Sequence, residues 1–526
     1  MLPSDNVLHM TADTQLDTLE AKGLVRLAAL RPELEYLFRH ALVQDAAYGS
    51  LLKQERRELH AQVGEALEEL YPERREELAP VLAMHFESAG ETDKAIDYFA
   101  AGGEHALSQN AIVESFEDYN RASTLLDEEG ADDGSPPDEA ARRRRRRIVV
   151  QLGRAKAGYS FLAPEDQYAA LERVVTAADE LGDLHLVAEV HLLIALGRLQ
   201  NGDPPTDPIV KRSLDRIAEV AEEIGDPSLR ATPLALIGLS KVFAGNNIRE
   251  GIAALEEAVP LMELNQSDSI GASFARGSLA IGYASVGEFD KAEAAVTRAR
   301  EVAKTGDLIA QLDALIAESI VRSAQGQLDR AVPLAKECVE RSEATGATAC
   351  AIASSWILGD AFHRQGRLQE ARDVLQRGSD ISGVLDRRVW RPTLQAWLGT
   401  TMAALGEPTD GNWDEPLAMA RSIDNKIGEA GILGKRAESL IARGEFDAAR
   451  ADFEASNAIA EELGMRPVLA RSLRTWGEAL RAAGRTAEAE PILRRSLALF
   501  EELGLKGEAD AVRAEIALAG TTLSYS

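Results

Sequence analysis

The sequence contains little cysteine, no long apolar run and few aromatic residues. Its two cysteines, Cys338 and Cys350, match no zinc or redox spacing, and two isolated thiols indicate a reducing compartment. No stretch of 18 apolar residues occurs, which argues against a membrane span. The N-terminal segment MLPSDNVLHMTADTQ lacks the basic and apolar regions of a signal peptide. We therefore expect a cytoplasmic protein.

Positive charge is also scarce. The chain has 58 lysines and arginines against 86 acidic residues, which gives a formal net charge of -28 and a pI near 4.8. A long-range field of that sign repels phosphate groups. We therefore expect neither nucleic acid nor a membrane among the partners of this protein.

The sequence motifs of several enzyme classes are missing as well. There is no GxxxxGK[ST] phosphate loop, no nucleophile elbow, no HExxH and no CxxC pair. Gly434-Lys435 is followed by Arg436, so it does not complete a phosphate loop. His185 and His191 are six residues apart, which places them on different faces of a helix and argues against a metal pair. We predict no catalytic residue, no cofactor and no metal.

The sequence does contain an internal repeat, in which a short phrase begins with glycine and ends with a small residue. Examples are GEFDKA at 287–292, GQLDRA at 326–331, GRLQEA at 366–371, GEFDAA at 444–449 and GRTAEA at 484–489. From Gly245 the phrase recurs at intervals of 42, 39, 40, 40, 38 and 40 residues. We predict units of two helices in which the glycine ends the first helix and the small residue permits close helix packing. Neither helix can bury its apolar face alone, so neighbouring units must stack.

Inside a unit the pattern resembles the tetratricopeptide repeat. The best example places Leu358, Gly359, Phe362, Ala371 and Leu375 at the characteristic positions of that repeat. The unit at 315–338 fits less well, because Glu318 and Arg322 stand where the repeat has apolar residues. The resemblance implies an all-α, right-handed helical solenoid over most of the chain.

The first quarter of the chain follows a different pattern. A short helix (16–22) is expected to end at Gly23. The alternating segments LVRLAAL and LEYLF predict a small hairpin that turns near Arg31-Pro32, and a long amphipathic helix is expected after it.

Three segments of the first quarter closely resemble the middle of large bacterial signal-transduction ATPases. They are FRHALVQDAAYGSLL (38–52), RRELH (56–60) and LAMHFESAGETDKAIDYF (82–99). In that family an ATPase core, often behind a class III nucleotidyl cyclase domain, precedes a winged-helix domain and a tetratricopeptide array. Because the phosphate loop and the cyclase carboxylates are missing here, the resemblance implies the C-terminal half of such a protein.

The resemblance also implies a division of the chain into four parts. These are a partial winged-helix-like segment (1–75), the first repeat helices (76–130), an acidic and arginine-rich loop (131–147) and the repeat array (148–526).

Two features that could suggest functional sites have simpler structural interpretations. The run Arg142 to Arg147 suggests a phosphate patch, but seven acids just upstream neutralise most of it, and a run wraps around a helix instead of forming one stripe. His40, His60 and His85 have no evident nucleophile or metal partner, so we predict packed or capping histidines. The two cysteines are predicted to be small buried hydrophobic residues.

One set of residues is predicted to line a binding groove, because the first helix of each tetratricopeptide unit faces the groove. The candidates are Trp356, Asp360, His363, Arg471, Arg474 and Arg481. The three arginines fall on one helix face and suit a carboxylate or an acidic peptide, with a solvated arginine face as the alternative. Trp397 and Trp476 are predicted to pack between helices.

Three functions follow from these observations. The first is a scaffold or sensor module of signal transduction that binds a protein, a peptide or a small effector. The second is the regulatory half of an ATP-dependent cyclase or ATPase, active with a separate catalytic polypeptide. The third is a transcription regulator, because related ATPases can carry DNA-binding helices after the repeats; the end of this chain, AEIALAGTTLSYS, and its charge weigh against that function.

Overall fold

The fold was determined as a computed structural model. The structure describes residues 14–29, 35–128, 136–159, 162–263, 270–304, 306, 308–386, 388–407 and 413–522. The chain divides into two compact units, Met1–Gly102 and Gly103–Ser526.

The first unit combines a small hairpin with helices. In chain order it contains α1 (14–21), β1 (Val25–Ala29), β2 (Glu35–Phe38), α2 (Ala41–Ser50), α3 (Lys53–Leu70), a 3-10 turn (Pro72–Arg74), α4 (Ala79–Ala89) and the larger part of α5 (Thr92–Ser108). The two strands pair antiparallel, with Val25 opposite Phe38, which confirms the predicted hairpin. The turn predicted near Arg31-Pro32 lies outside the described residues.

The long helix expected after the hairpin corresponds to α3, which has 18 residues, and a separate shorter helix, α2, lies before it. Leu51 and Leu52 between α2 and α3 have extended backbones, with ψ angles of 141° and 152°. The backbone N–H of Leu52 donates a hydrogen bond to the Glu55 carboxylate at 2.8 Å. This contact caps the start of α3 and separates it from α2.

The second unit is built from helices throughout its described residues. They are α6 (Ile112–Glu128), α7 (Pro137–Gly158), α8 (Pro164–Leu181), α9 (Leu184–Gln200), α10 (Pro208–Ile224), α11 (Pro227–Ala244), α12 (Ile248–Glu263), α13 (Ile270–Val286), α14 (Phe289–Ala303), α15 (Leu308–Ala324), α16 (Leu328–Thr345), α17 (Thr348–Arg364), α18 (Leu368–Val384), α19 (Arg391–Ala404), α20 (Asp414–Ser422), α21 (Lys426–Ala442), α22 (Phe446–Glu462), α23 (Arg466–Ala482), α24 (Thr486–Glu502) and α25 (Lys506–Thr522). The predicted all-α solenoid is therefore confirmed.

The loop expected over residues 131–147 is wrong from Pro137 onwards, where the chain is helical, and residues 131–135 lie outside the described residues. Helix α7 begins at Pro137, with Asp138 and Glu139 in its first turn, and includes the whole arginine run. A proline at the first position and acids in the first turn favour a helix start, and arginine is a strong helix former. Within the run, Arg143 pairs with Glu139 at 2.9 Å and Arg147 with Asp127 at 3.0 Å.

The glycine that opens each repeat phrase ends the first helix of its unit, as predicted. The glycines with left-handed backbones include Gly245, Gly287, Gly326, Gly366, Gly406, Gly444 and Gly484, with φ between +65° and +84°. A residue with a side chain rarely adopts this conformation, so the positions of these glycines determine where the chain turns.

Small residues let the paired helices of a unit approach closely. A Cβ built on Gly238 of α11 would lie 2.9 Å from the carbonyl oxygen of Gly251 on α12. In the best-fitting unit, a Cβ on Gly359 would lie 2.4 Å from the side chain of Leu375, and Ala371 is fully buried. Close packing of this kind buries a continuous core along the stacked units.

Distant segments of the second unit also contact each other. The backbone N–H of Leu308 donates to the Asn110 side chain at 3.0 Å, across 198 residues of sequence. The N–H of Arg388 donates to the Asn201 side chain at 3.4 Å, across 187 residues. Helix α13 also contacts α23, and α11 contacts α21. The array therefore returns onto itself and encloses space between its early and late helices.

The unit that fits the repeat poorly buries an ion network. Glu318 and Arg322 are 3% and 6% exposed and lie 3.2 Å apart. Glu318 also pairs with Arg300 at 3.0 Å, and Arg322 pairs with Glu293. Each charge is therefore neutralised by a partner, which a buried charge requires.

A second buried acid, Asp313, has no ion-pair partner within the part of the chain that the structure describes. Asp313 on α15 is 6% exposed, and burial raises the pKa of its carboxyl to about 8. Its carboxylate lies against Gly277 of α13, where a Cβ would be 2.4 Å from Oδ2. Cys338 and Cys350 are buried free thiols, as predicted.

Candidate functional site

A cavity of about 720 Å³ lies within the second unit. Its walls come mainly from every second helix between α11 and α23, which are the first helices of seven successive units. Glu508 of α25 joins these walls. Sites for small ligands generally have volumes of about 300–1,000 Å³, so the cavity has the capacity of a ligand site.

Aromatic rings form one wall of the cavity. The Trp356 ring lies 5.9 Å from the Trp390 ring and 5.8 Å from the Trp397 ring, the latter edge-to-face. Phe243 lies 6.1 Å from Trp390, also edge-to-face. Such rings provide a large and rigid apolar surface. The indole N–H of Trp356 is buried and has no hydrogen-bond partner among the described residues.

The two tryptophans predicted to pack between helices have different surroundings. Trp476 is 4% exposed and stacks on Phe453 with ring centroids 5.1 Å apart, which confirms the prediction. Trp397 is half-buried and lines the cavity, where its indole N–H donates to the Asp360 carboxylate at 2.9 Å. Trp397 therefore positions an acid of the cavity wall.

Asp360 is held in its ionised form. Burial raises the pKa of its carboxyl, but the Arg364 guanidinium at 3.5 Å, the Lys435 ammonium and the hydrogen bond from Trp397 outweigh burial, so the pKa lies below its ordinary value. Asp360 therefore carries a negative charge at neutral pH, already balanced by the chain itself.

His363 lies one helical turn beyond Asp360 and is neutral at physiological pH. Burial lowers the pKa of its imidazole, and the nearby Lys435 ammonium lowers the pKa further. Its Nδ1 atom is in hydrogen-bond contact with the Thr401 hydroxyl at 3.0 Å. His363 therefore contributes a polar but uncharged surface to the cavity.

Arg471 is fixed by two partners from distant parts of the chain. Its guanidinium donates to the Glu508 carboxylate at 2.7 and 3.0 Å and to the Ala324 carbonyl at 2.6 Å. Arg364 approaches the same Glu508 carboxylate at 3.7 Å and donates to the Ser323 carbonyl at 3.2 Å. Two arginines therefore converge on one acid.

The other two arginines of the predicted set have different positions. Arg474 lines the cavity and donates to Glu478 on its own helix at 2.7 Å. Arg481 does not line the cavity and pairs with Glu515 of α25. The structure thus brings five of the six predicted residues to one cavity, and their binding role remains a prediction.

Charges on the cavity wall are balanced. The cations are Arg364, Lys435, Arg471 and Arg474, and the anions are Asp360, Glu438, Glu478 and Glu508. Lys435 pairs with Glu438 at 3.0 Å and lies over the Trp397 ring at 5.2 Å. An acidic ligand would therefore have to compete with carboxylates of the chain for any of these cations.

Sequence reasoning missed Trp390, Arg364, Lys435 and Glu508. Arg364 directly follows His363, and its position at the end of α17 gave no separate signal. Lys435 and Glu508 reach the cavity from α21 and α25, far along the chain. Only the return of the array onto itself brings these residues to Asp360, and no single unit encodes that return.

Of the histidines predicted to be packed or capping, His60 and His85 pack against each other. The prediction is wrong for His40, which is exposed and makes no side-chain capping hydrogen bond at the start of α2. His60 contacts His85 at 3.0 Å between Nδ1 atoms, and burial followed by the nearby His60 lowers the pKa of His85. His191 is buried between Ser213 and Asp179. Across the described ranges, no cluster of three or more metal-ligating side chains occurs. None of the helices described above combines the length and apolar character of a membrane span.

Comparison with known proteins identifies the repeat. Residues 353–377 and 428–502 match two tetratricopeptide repeat families. The fold is a tetratricopeptide-like solenoid. A curated relative, the uncharacterized protein R02095 of Rhizobium meliloti (strain 1021), is 29% identical over 99 residues, which are 19% of this chain. The chain spans about a tenth of the length of that relative, since the match covers 10% of it.

Solved structures are similar to this chain at low sequence identity. The crystal structure of a Rap protein complexed with competence and sporulation factor has a TM-score of 0.50 and 12% identity, covering 68% of this chain and 98% of that chain. The Cut9 and Hcn1 hetero-tetramer of APC/C has a TM-score of 0.49 and 13% identity, covering 89% of this chain and 87% of that chain. At this identity, the similarity to the Rap structure shows the fold alone.

Proposed function

We propose that the second unit is a cytoplasmic, non-catalytic binding module of signal transduction, and that its cavity receives a peptide or a short segment of a partner protein. The observation that carries this function is the cavity of about 720 Å³ with the wall of Trp356, Trp390 and Trp397. Buried tryptophans dominate the energetics of many protein interfaces. A solenoid of the same fold occurs in complex with a factor, as in the similar Rap structure.

Binding would change the curvature of the array. The cavity is lined by helices of seven successive units, and each unit packs mainly on its neighbours. A ligand that contacts several units at once shifts the equilibrium between more open and more closed arrangements by its difference in affinity for them. The partner protein would then recognise the arrangement that the ligand favours.

A selection experiment tests this function. Random heptapeptides displayed on phage are selected on the purified protein, and the affinity of synthetic copies is measured by isothermal titration calorimetry. Trp356→Leu should weaken binding by about 2 kcal/mol, which is roughly thirtyfold, because it removes an aromatic anchor. Arg474→Gln should also weaken binding.

Arg481→Gln is the matched control, because Arg481 lies on the same helix as Arg474 and has one ion-pair partner but does not line the cavity. It should leave the affinity unchanged. A selection that yields no binder, or binders that lose affinity equally in all three variants, would refute the proposed site.

One observation favours the regulatory half of an ATPase or cyclase as a second function. Helix α3 in the first unit has an apolar stripe at Leu59, Val63 and Leu70, and all three side chains are exposed. Helix α2 has no buried residue at all, and Leu42 on it is 82% exposed. An exposed apolar stripe of this size is typical of a surface that another polypeptide covers.

Association with a separate catalytic polypeptide tests the second function. The protein is co-expressed with a candidate ATPase that carries a phosphate loop, and the complex is measured by size-exclusion chromatography with light scattering. Leu59→Glu should abolish the complex. Val384→Glu is the control, because Val384 is an equally apolar and 84% exposed residue of α18. Absence of a complex with the unaltered chain would contradict this function.

A further inference from the structure

We infer that Glu508 is a built-in substitute for the carboxylate of the ligand, and that the cavity binds an apolar or aromatic group joined to a carboxylate. This inference rests on the proposed function and names the chemistry of its ligand. The ligand carboxylate would replace Glu508 between Arg364 and Arg471, and the apolar group would lie against the tryptophan wall.

Glu508 differs from the other acids of the cavity in the origin of its partners. Asp360, Glu438 and Glu478 each pair with a cation three or four residues away on the same helix. Glu508 instead comes from α25 and contacts Arg471 of α23 and Arg364 of α17. It is therefore the acid that a ligand can replace without breaking an ion pair inside one helix.

The two arginines are held in place independently of Glu508. Arg471 donates to the Ala324 carbonyl at 2.6 Å, and Arg364 donates to the Ser323 hydroxyl at 2.9 Å. Burial lowers the pKa of Arg364, and the neighbouring Arg471 charge lowers it further. Both guanidinium groups are partly buried, with side chains 22% and 21% exposed, and a pair of fixed guanidinium groups recognises a carboxylate by charge-assisted hydrogen bonds.

Exchange of the two carboxylates needs little rearrangement. The Glu508 side chain is 18% exposed, so it already contacts solvent, and the exchange would move its carboxylate further into water. The same carboxylate lies against the turn at Gly326, where a Cβ would be 3.0 Å from Oε2. Its departure therefore releases a contact between α25 and an earlier unit, which couples ligand binding to the curvature of the array.

Chemical rescue tests the inference. Glu508→Ala leaves the two arginines without this partner, and 3-phenylpropionate is added as a free acid that carries an aromatic ring. We expect it to bind the variant at least about tenfold more tightly than it binds the unaltered protein, and to raise the melting temperature of the variant. Acetate should bind more weakly because it lacks the ring, and 3-phenylpropionamide should not bind.

Glu515→Ala is the matched control, since Glu515 lies on the same helix and pairs with Arg481 away from the cavity. It should gain no affinity. If Glu508→Ala does not fold, the isosteric Glu508→Gln replaces it. A tripeptide with the sequence alanyl-leucyl-phenylalanine, as free acid and as amide, separates a peptide C-terminus from a small carboxylic acid as the source of the group.

Equal binding of acid and amide, or no gain in affinity for either acid in the Glu508 variants, overturns the inference. The proposed function survives that outcome if the selected heptapeptides still depend on Trp356. Loss of the Trp356 dependence together with normal rescue by 3-phenylpropionate would instead contradict the proposed function and leave the carboxylate site standing.

Discussion

Replacing Asp313 by asparagine should remove a pH dependence from the stability of the middle units. Burial raises the pKa of this carboxyl to about 8 in the folded protein, whereas an unfolded aspartate has a pKa near 3.9. Between these values the folded chain holds a proton that the unfolded chain releases. The contribution of Asp313 to the unfolding free energy is therefore fully present below about pH 4 and is lost as the pH rises towards 8.

The magnitude follows from the two pKa values. Each pH unit between these two pKa values lowers the unfolding free energy by about 1.4 kcal/mol. Asp313 alone therefore lowers the unfolding free energy by about 2.7 kcal/mol between pH 5 and pH 7. Asparagine has nearly the same shape and no charge at either pH. The variant should therefore lack this loss and be more stable than the unaltered protein at pH 7.

Hydrogen exchange measured by mass spectrometry is the suitable assay, because a repeat array opens locally and need not unfold in one step. The opening free energy of the peptide that contains α15 is compared at pH 5 and pH 7 after correction for the intrinsic exchange rates. Asp329→Asn, the same change at an exposed position of α16, is the control. Parallel pH profiles for the Asp313 variant and the unaltered protein would refute the reasoning.

Two further predictions concern helix packing and the buried ion network. Gly359→Ala should lower the unfolding free energy by about 1–3 kcal/mol, because the new Cβ would meet Leu375. Gly383→Ala, at a helical position with open space, should raise the unfolding free energy by about 0.5–1 kcal/mol. Thermal melts in which both variants shift the melting temperature in the same direction would contradict this pair. Glu318→Leu should lower the unfolding free energy by about 3–5 kcal/mol, because it leaves Arg322 buried with less charge compensation. Adding Arg322→Leu should recover most of that loss, as measured by denaturant titration. A double variant that recovers no stability would disprove the account.

The repeat was predictable because its signals are local. A glycine such as Gly366 marks the turn, and Ala371 five residues later marks the close contact between the two helices. The break between α2 and α3 was not predictable from periodicity, because apolar residues at Leu51 and Leu52 continue the helical pattern. The cap from Glu55 decides that break.

The cavity was predictable only in part, for a related reason. Trp356, Asp360 and His363 share one face of one helix, so their position in the repeat indicates a common surface. The partners of that surface depend on the rotation between successive units, summed over several repeats. This accumulated rotation places Trp390 and Glu508 at the cavity, and the sequence pattern of a single unit does not specify it.

The contacts between distant segments also limit how this gene can change. In an open solenoid a unit of about 40 residues can be duplicated or lost with little harm, because each unit depends on its neighbours alone. Here the Asn110 side chain accepts from Leu308 and the Asn201 side chain from Arg388, so losing one unit between them would misalign each pair by a whole repeat. We therefore expect the copy number between these anchors to be fixed, and engineering of this scaffold to succeed by substitution on the cavity wall and to fail by insertion or removal of repeats.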